Sequence, residues 1–365
     1  MKALRYCLPQ AILDPKYREV PGMQRFRHFF SLYGSWVMPY DRTGVMTTPL
    51  RTMPQFALPV YRPFKKSYAE LCDERASEIL QRAERSGVTL YIMYSGGIDS
   101  TCMLVSVLKH ASPEQKKGIV VLLSHDSIAE NPRFFDEHIK RDLRMDSSAS
   151  FPAILGGKDM FLSAEHNDMI LGSDKIGKLM RQFYPGVVHE PYRRETIAAH
   201  FAPALGQDKE LTSFYMDMFE RICDAAPIDI RTNLEFLWWI NFSFKWHACY
   251  YYILMFTKAA QTAGITEEYL RDRFVSFFNT DEFQLWSMHN TDKRIRDTWK
   301  SYKWVAKDII YEYTKDAEYR DHKIKRGSLI PLIRQLHAYS TLDAGLTFSS
   351  GCELADLFAE KNDFV

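Results

Sequence analysis

The apolar run at residues 88–94 stops abruptly at Ser95-Gly96-Gly97. A helical pattern starts at once, with Met103, Leu104, Val107 and Leu108 on one face. Strand, glycine turn and helix N-terminus in that order make an anion site. The first amides of a helix have no internal partner, and its dipole favours negative charge there. Gly96 and Gly97 let the backbone approach a phosphate with no Cβ in the way, and Ser95, Ser100 and Thr101 add hydroxyl donors. Asp99 repels phosphate unless a divalent cation, Mg2+, lies between them. The loop has no GxxxxGK[ST] pattern and no lysine, so it is not a Walker A loop. The plainer alternative is a tight strand–helix turn that only needs glycines.

Ser95-Gly96-Gly97-Ile98-Asp99-Ser100 resembles the SGGxDS loop of the N-type ATP pyrophosphatases (the PP-loop superfamily). In that family the loop holds the pyrophosphate end of ATP while a substrate oxygen attacks the α-phosphate. The resemblance implies ATP and Mg2+ as cofactors. It also implies an α/β fold of the adenine-nucleotide alpha hydrolase-like type, a doubly wound parallel sheet. Ser95, Gly96, Gly97, Asp99, Ser100 and Thr101 would bind the nucleotide. Leu123 and Ser124 would meet adenine through their backbone. His125 reads as a strand-end residue rather than a catalyst.

Composition narrows the class. Net charge is +1 over 365 residues, which gives no electrostatic case for nucleic acid or an anionic membrane. None of the six cysteines forms CxxC, which argues against a zinc ribbon or dithiol site and fits a reduced cytoplasm. No basic stretch precedes an apolar run at the N-terminus, so no signal peptide is expected. The apolar run at 234–256 holds Glu235, Asn241, Lys245 and His247, charges costly in a bilayer, and reads as one long buried helix. HExxH is absent.

Three regions are expected. Residues 1–66, punctuated by eight prolines, read as an arm lying on the rest, with a candidate strand at 32–38. Residues 67–186 read as the α/β core. A helix is expected over 68–85 with Gly87 at its C-terminal cap, and strands at 118–124, 153–155 and 168–171. Residues 187–365 read as an α-helical extension completing the substrate site, with helices at 193–205, 211–225, 232–263, 267–278 and 299–313. Asn241, Lys245 and Tyr252 share a stripe on one helix, which lines a pocket or faces solvent.

Two later stretches resemble the synthetase domain of asparagine synthetases. At Gly172-Ser173-Asp174-Lys175-Ile176-Gly177 the resemblance implies that Gly172 meets ATP and that Asp174 completes a metal site with Asp99. Asp174 as a helix N-cap is the alternative. At Lys323-Ile324-Lys325-Arg326-Gly327 it implies that Lys325 is the catalytic lysine, with Lys323 beside it. A solvated basic turn is the alternative. The glutaminase domain usual in that family is expected to be absent, since Cys7 is internal and few residues precede Ser95.

The expected activity is an ATP-dependent, AMP-forming amide ligase. Its partners would be a small-molecule or peptide carboxylate and a nitrogen source: free ammonia, an amine, or a separate amidotransferase. A homo-oligomer is compatible. A base-modifying pyrophosphatase acting on a nucleobase carbonyl, and a non-catalytic ATP-binding module, are the competing classes.

Overall fold

The computed structural model describes residues 4–6, 14–33, 40–51, 56–251, 267–323, 340–342, 348–349, 358–359 and 361–365. Lys325 and Tyr252 lie outside the described residues.

A five-stranded, all-parallel sheet flanked by helices forms the frame of an α/β protein, compatible with a doubly wound fold. Its spatial order is Arg144–Ser147, Ile119–Leu123, Leu90–Met93, Met160–Ser163 and Phe274–Ser276. The chain adds strands outward on one side of Leu90–Met93, then returns to add Met160–Ser163 on its other side. Strand order therefore reverses between Leu90–Met93 and Met160–Ser163. Such a reversal opens a crevice at the carboxyl ends of the two strands, where open α/β sheets bind their ligands. The SGGxDS loop leaves the first of these strands.

Local chemistry sets the flanking helices. Ser67 and Glu70 close a capping box on helix Tyr68–Ser86, and Gly87 ends it in the left-handed region, as expected. That helix packs on Ile98–His110, which also takes Trp304–Thr314. The predicted helices at 193–205 and 211–225 are found as Arg194–Phe201, continued by a 3-10 turn, and Lys209–Asp224.

Several expectations are corrected. Residues 153–155 and 168–171 are not strands: Phe151–Ile154 and Asn167–Leu171 are short helices, and the strand is Met160–Ser163. The helix expected at 267–278 ends at Arg273, and Phe274–Ser276 becomes the edge strand. The run at 232–263 divides at Lys245 into Asn233–Phe244 and Trp246–Tyr251. At 32–38 the described part belongs to helix Phe29–Tyr33, and 34–39 lie outside the described residues. No helix among the described residues is long and apolar enough to cross a membrane.

The N-terminal arm packs through aromatics. Phe29 meets Phe244 at 4.9 Å and Phe26 meets Phe364 at 5.0 Å, ring centre to ring centre. Arg42 is buried, and among the described residues its hydrogen bonds reach no carboxylate. It donates to the carbonyls of Phe56 and Ala57, both at 2.9 Å, and lies over the Trp246 ring. A small antiparallel sheet joins Leu4–Tyr6, Ser340–Leu342 and Phe348–Ser349. Among the described residues, one hydrophobic cluster runs through all three predicted regions.

Candidate functional site

The loop after Leu90–Met93 is built for close approach. Gly96 has φ +74°, and a Cβ there would meet the Ser127 carbonyl and lie 2.9 Å from the Glu130 Cβ. Gly97 is the N-cap of helix Ile98–His110 and supplies no side-chain cap. Ser67, Ser112, Ser124 and Thr232 do cap their helices. The first-turn amides after Gly97 are thus left for an external anion, where the helix dipole adds to their pull.

The loop hydroxyls mostly brace the loop. Ser95 and Ser100 share a hydrogen bond at 3.0 Å, and Ser100 Oγ donates to the Gly97 carbonyl at 3.2 Å. Thr101, expected at the nucleotide, is fully buried. Its hydroxyl meets that of Tyr319 at 3.2 Å, so it holds the loop from behind. Ser124 spends its side chain as the cap of His125–Glu130, and Leu123 ends the neighbouring strand.

Among the described residues Asp99 meets two side-chain partners. Asn167 Nδ2 donates to Oδ1 at 2.7 Å and Lys303 Nζ donates to Oδ2 at 2.5 Å. Tyr68 OH donates to Asn167 Oδ1 at 2.6 Å and fixes the amide. Lys303 Nζ also reaches Asp168. Asp99 follows one switch-point strand and Asp168 follows the other, so the strand reversal itself brings the two carboxylates onto one ammonium. Lys303 is 6% exposed, Asp99 24% and Asp168 56%. Burial pushes Lys303 down, but Asp168 and Asp99 outweigh it and leave its pKa well above the usual lysine range. Burial pushes the Asp99 carboxyl up; Lys303 pulls it back and Asp168 adds to the rise. Lys303 is the charged centre of this cluster.

Lys303 is aimed by its backbone and by two glycines. It sits at φ +60°, ψ +30°, a strained position for a side-chain-bearing residue, at the start of helix Trp304–Thr314. The preceding Trp299 and Tyr302 rings stack at 4.2 Å. They lie on Gly177 and Gly172: a Cβ would come within 2.7 Å of the Trp299 ring at Gly177 and within 2.9 Å of the Tyr302 ring at Gly172. Gly172 has φ +142°. Both glycines of the predicted Gly172–Gly177 segment thus serve as a flat bed for the strap that carries Lys303.

Asp174 is neither the N-cap nor the partner found for Asp99. Ser173 caps helix Asp174–Gln182. Asp174 meets Lys178 at 3.0 Å and Lys245 at 3.6 Å. Burial opposes its charge, yet Lys245, Lys175 and Lys178 hold its carboxyl well below the usual range. The Asn241–Lys245 stripe faces inward rather than to solvent. Asn241 is buried and donates from Nδ2 to the Gly172 carbonyl at 2.8 Å.

Lys323 is buried against Glu130, at 2.6 Å. The Glu130 carboxylate lies 3.6 Å from the Cβ position of Gly97, so this pair flanks the loop. Tyr319, on helix Ala317–His322, donates from its hydroxyl to the Gly96 carbonyl at 2.9 Å. Among the described residues no group of three or more His, Cys, Asp or Glu is placed to hold a metal ion.

Sequence reasoning missed Lys303, Asp168 and Asn167. Asp168 was legible only as part of an apolar run, and Lys303 only as one lysine among several between Lys300 and Lys307. No family model matches the chain, and neither does any curated protein or solved structure.

Proposed function

We propose that this protein is an ATP-dependent, AMP-forming ligase related to the synthetase half of asparagine synthetases. It adenylates a carboxylate, releasing pyrophosphate, and ammonia or an amine then displaces AMP to give an amide. The observation that carries this reading is Lys303 bridging Asp99 and Asp168 beside an uncapped helix N-terminus. A phosphate-binding loop and a buried cation at one switch point are what attack on an α-phosphate needs.

Each residue has a task. The amides after Gly97 hold the pyrophosphate end of ATP. Lys303 offsets the charge that builds on the α-phosphate as the carboxylate attacks. Lys323, held against the loop by Glu130, is a second cation for the phosphates. The donor set fits Mg2+ in one respect. Two carboxylates already share one ammonium and leave the cluster with net negative charge. Asp99 with Asp168, rather than with Asp174, would hold the ion, which would neutralise phosphate charge.

Pyrophosphate release from ATP and Mg2+ tests the reading, with wild type beside Asp99→Ala and Lys303→Met. One arm contains free carboxylates with ammonia, the other total tRNA and DNA. Release in the first arm alone, lost in both variants, is expected. Release only with nucleic acid would move the assignment to base modification. No release in either arm contradicts both enzymes.

A further inference from the structure

Among the described residues, three buried polar atoms of this region lack a hydrogen-bond partner: Asn241 Oδ1 and Tyr302 OH, whose side chains both meet Gly172, and Tyr33 OH, whose ring lies beside Lys245. Asn241 and Tyr302 both lie on Gly172. The amide of Asn241 donates to its carbonyl, and the Tyr302 hydroxyl stands 3.4 Å from its Cβ position. The orientation of the Asn241 amide is fixed, since the reverse would set two oxygens against each other.

Lys245, one helical turn beyond Asn241, joins the same patch. Its ammonium is 5.8 Å from the centre of the Tyr33 ring. Its carboxylate partner, Asp174, is 3.6 Å away, half exposed, and closer to Lys178. The Lys245 side chain is only 12% exposed, so a largely buried cation is loosely matched. An unsatisfied buried polar group loses its hydration with nothing in exchange. Several on one patch, beside such a cation, are costly as packing alone. They mark a place where a ligand completes the hydrogen bonds.

We propose that Asn241, Lys245 and Tyr302 recognise the non-reacting end of the substrate, and that this end presents a hydrogen-bond acceptor beside an N–H donor. The inference rests on the reading above, in which Lys303 faces the reacting group. Tyr302 and Lys303 are consecutive, so one strap serves both ends of the substrate. The required chemistry follows from the atoms. Asn241 Oδ1 only accepts and needs an N–H; Lys245 only donates and needs an acceptor; the hydroxyls do either. An amino carboxylate and the lactam edge of a purine-type base both carry that pair. The Trp299–Tyr302 stack lies against Gly172 and Gly177 at the edge of this patch.

Thermal unfolding of the full chain, without ATP, tests this. A mixture of free L-α-amino acids is added in one arm and guanosine in the other. The proteins are wild type, Asn241→Leu, Lys245→Met and Tyr302→Phe. One arm is expected to raise the wild-type Tm, with apparent affinity about tenfold weaker in each variant. Tyr302→Phe separates recognition from folding, because removing an unpartnered hydroxyl leaves the ligand-free Tm unchanged or higher. An equal Tm gain in all four proteins overturns the subsite, as does no wild-type gain with either probe. Binding without pyrophosphate release would remove the ligase and keep the subsite. Pyrophosphate release with KM unchanged in the variants would do the reverse.

Discussion

Lys303 Nζ lies 2.5 Å from Asp99 Oδ2, although 204 positions separate the two residues in the chain. This contact ties the strap after the helical region to the loop after the central strand. Removing Lys303 leaves the largely buried Asp99 carboxylate without its cation and facing the half-exposed Asp168. Lys303→Met should therefore destabilise the fold by roughly 3 kcal/mol, as loss of one partner from a buried ion pair does. Urea unfolding measures this directly. Lys303→Arg should recover less than half of the loss, because the planar fork does not fit a space shaped for an ammonium.

Gly96 and Gly87 both have positive φ, at +74° and +60°, but their surroundings differ. A Cβ at Gly87 meets nothing within 4 Å, whereas one at Gly96 meets Ser127 and Glu130. Gly87→Ala should cost about 1 kcal/mol, the backbone preference alone. Gly96→Ala should cost more and should weaken nucleotide binding, since the loop must shift. Paired unfolding curves and nucleotide titrations check the difference.

His166 and His247 set an acid limit. Burial depresses the pKa of both to about 3, and Arg42 adds to the effect. In the fold, His166 is held between the Ser276 hydroxyl at 2.6 Å and the Trp246 carbonyl at 3.1 Å. Between the ordinary histidine value near 6.5 and about 3, the unfolded chain takes a proton that the fold refuses. Stability is complete above pH 6.5 and falls as pH drops toward 3. The limit for one such histidine is on the order of 5 kcal/mol. Urea midpoints at pH 7 and pH 5 should differ, and His247→Gln should reduce the difference.

Lys175 acts at the other end of the scale. Burial lowers its pKa to about 7, with Asp174 opposing and Lys245 and Lys178 adding to the fall. Its ammonium is held by the Leu32 carbonyl and lies 4.5 Å from the Tyr33 ring centre. From pH 7 to the ordinary lysine value near 10.5, the unfolded chain binds the proton and the fold does not. This group alone makes stability rise with pH across that window. Lys175→Met should raise stability at pH 7 and flatten the rise, as read from Tm against pH.

Much of the frame was legible. The run at 88–94 ends at a glycine pair, and that junction locates the strand, the turn and the helix together. Gly87 marks the end of a helix by its own chemistry, whereas the Ser67 cap at its start was not read from the sequence. Short buried segments were not legible, because a wholly apolar stretch looks the same as helix or strand. That is why 168–171 read as a strand, while Phe274–Ser276, only three residues long, passed as the end of a helix. Lys303 was read only as part of a lysine-rich segment, and nothing local set it apart from its neighbours Lys300 and Lys307. Its position depends on a left-handed backbone and on two distant glycines that bed the rings before it.

The most direct test of the central claim is to follow labelled oxygen from the carboxylate. With ATP, Mg2+, ammonia and a carboxylate carrying heavy oxygen, the account predicts that the label appears in AMP and that pyrophosphate carries none. Label in inorganic phosphate, with ADP as the other product, would place attack on the γ-phosphate and contradict the assignment.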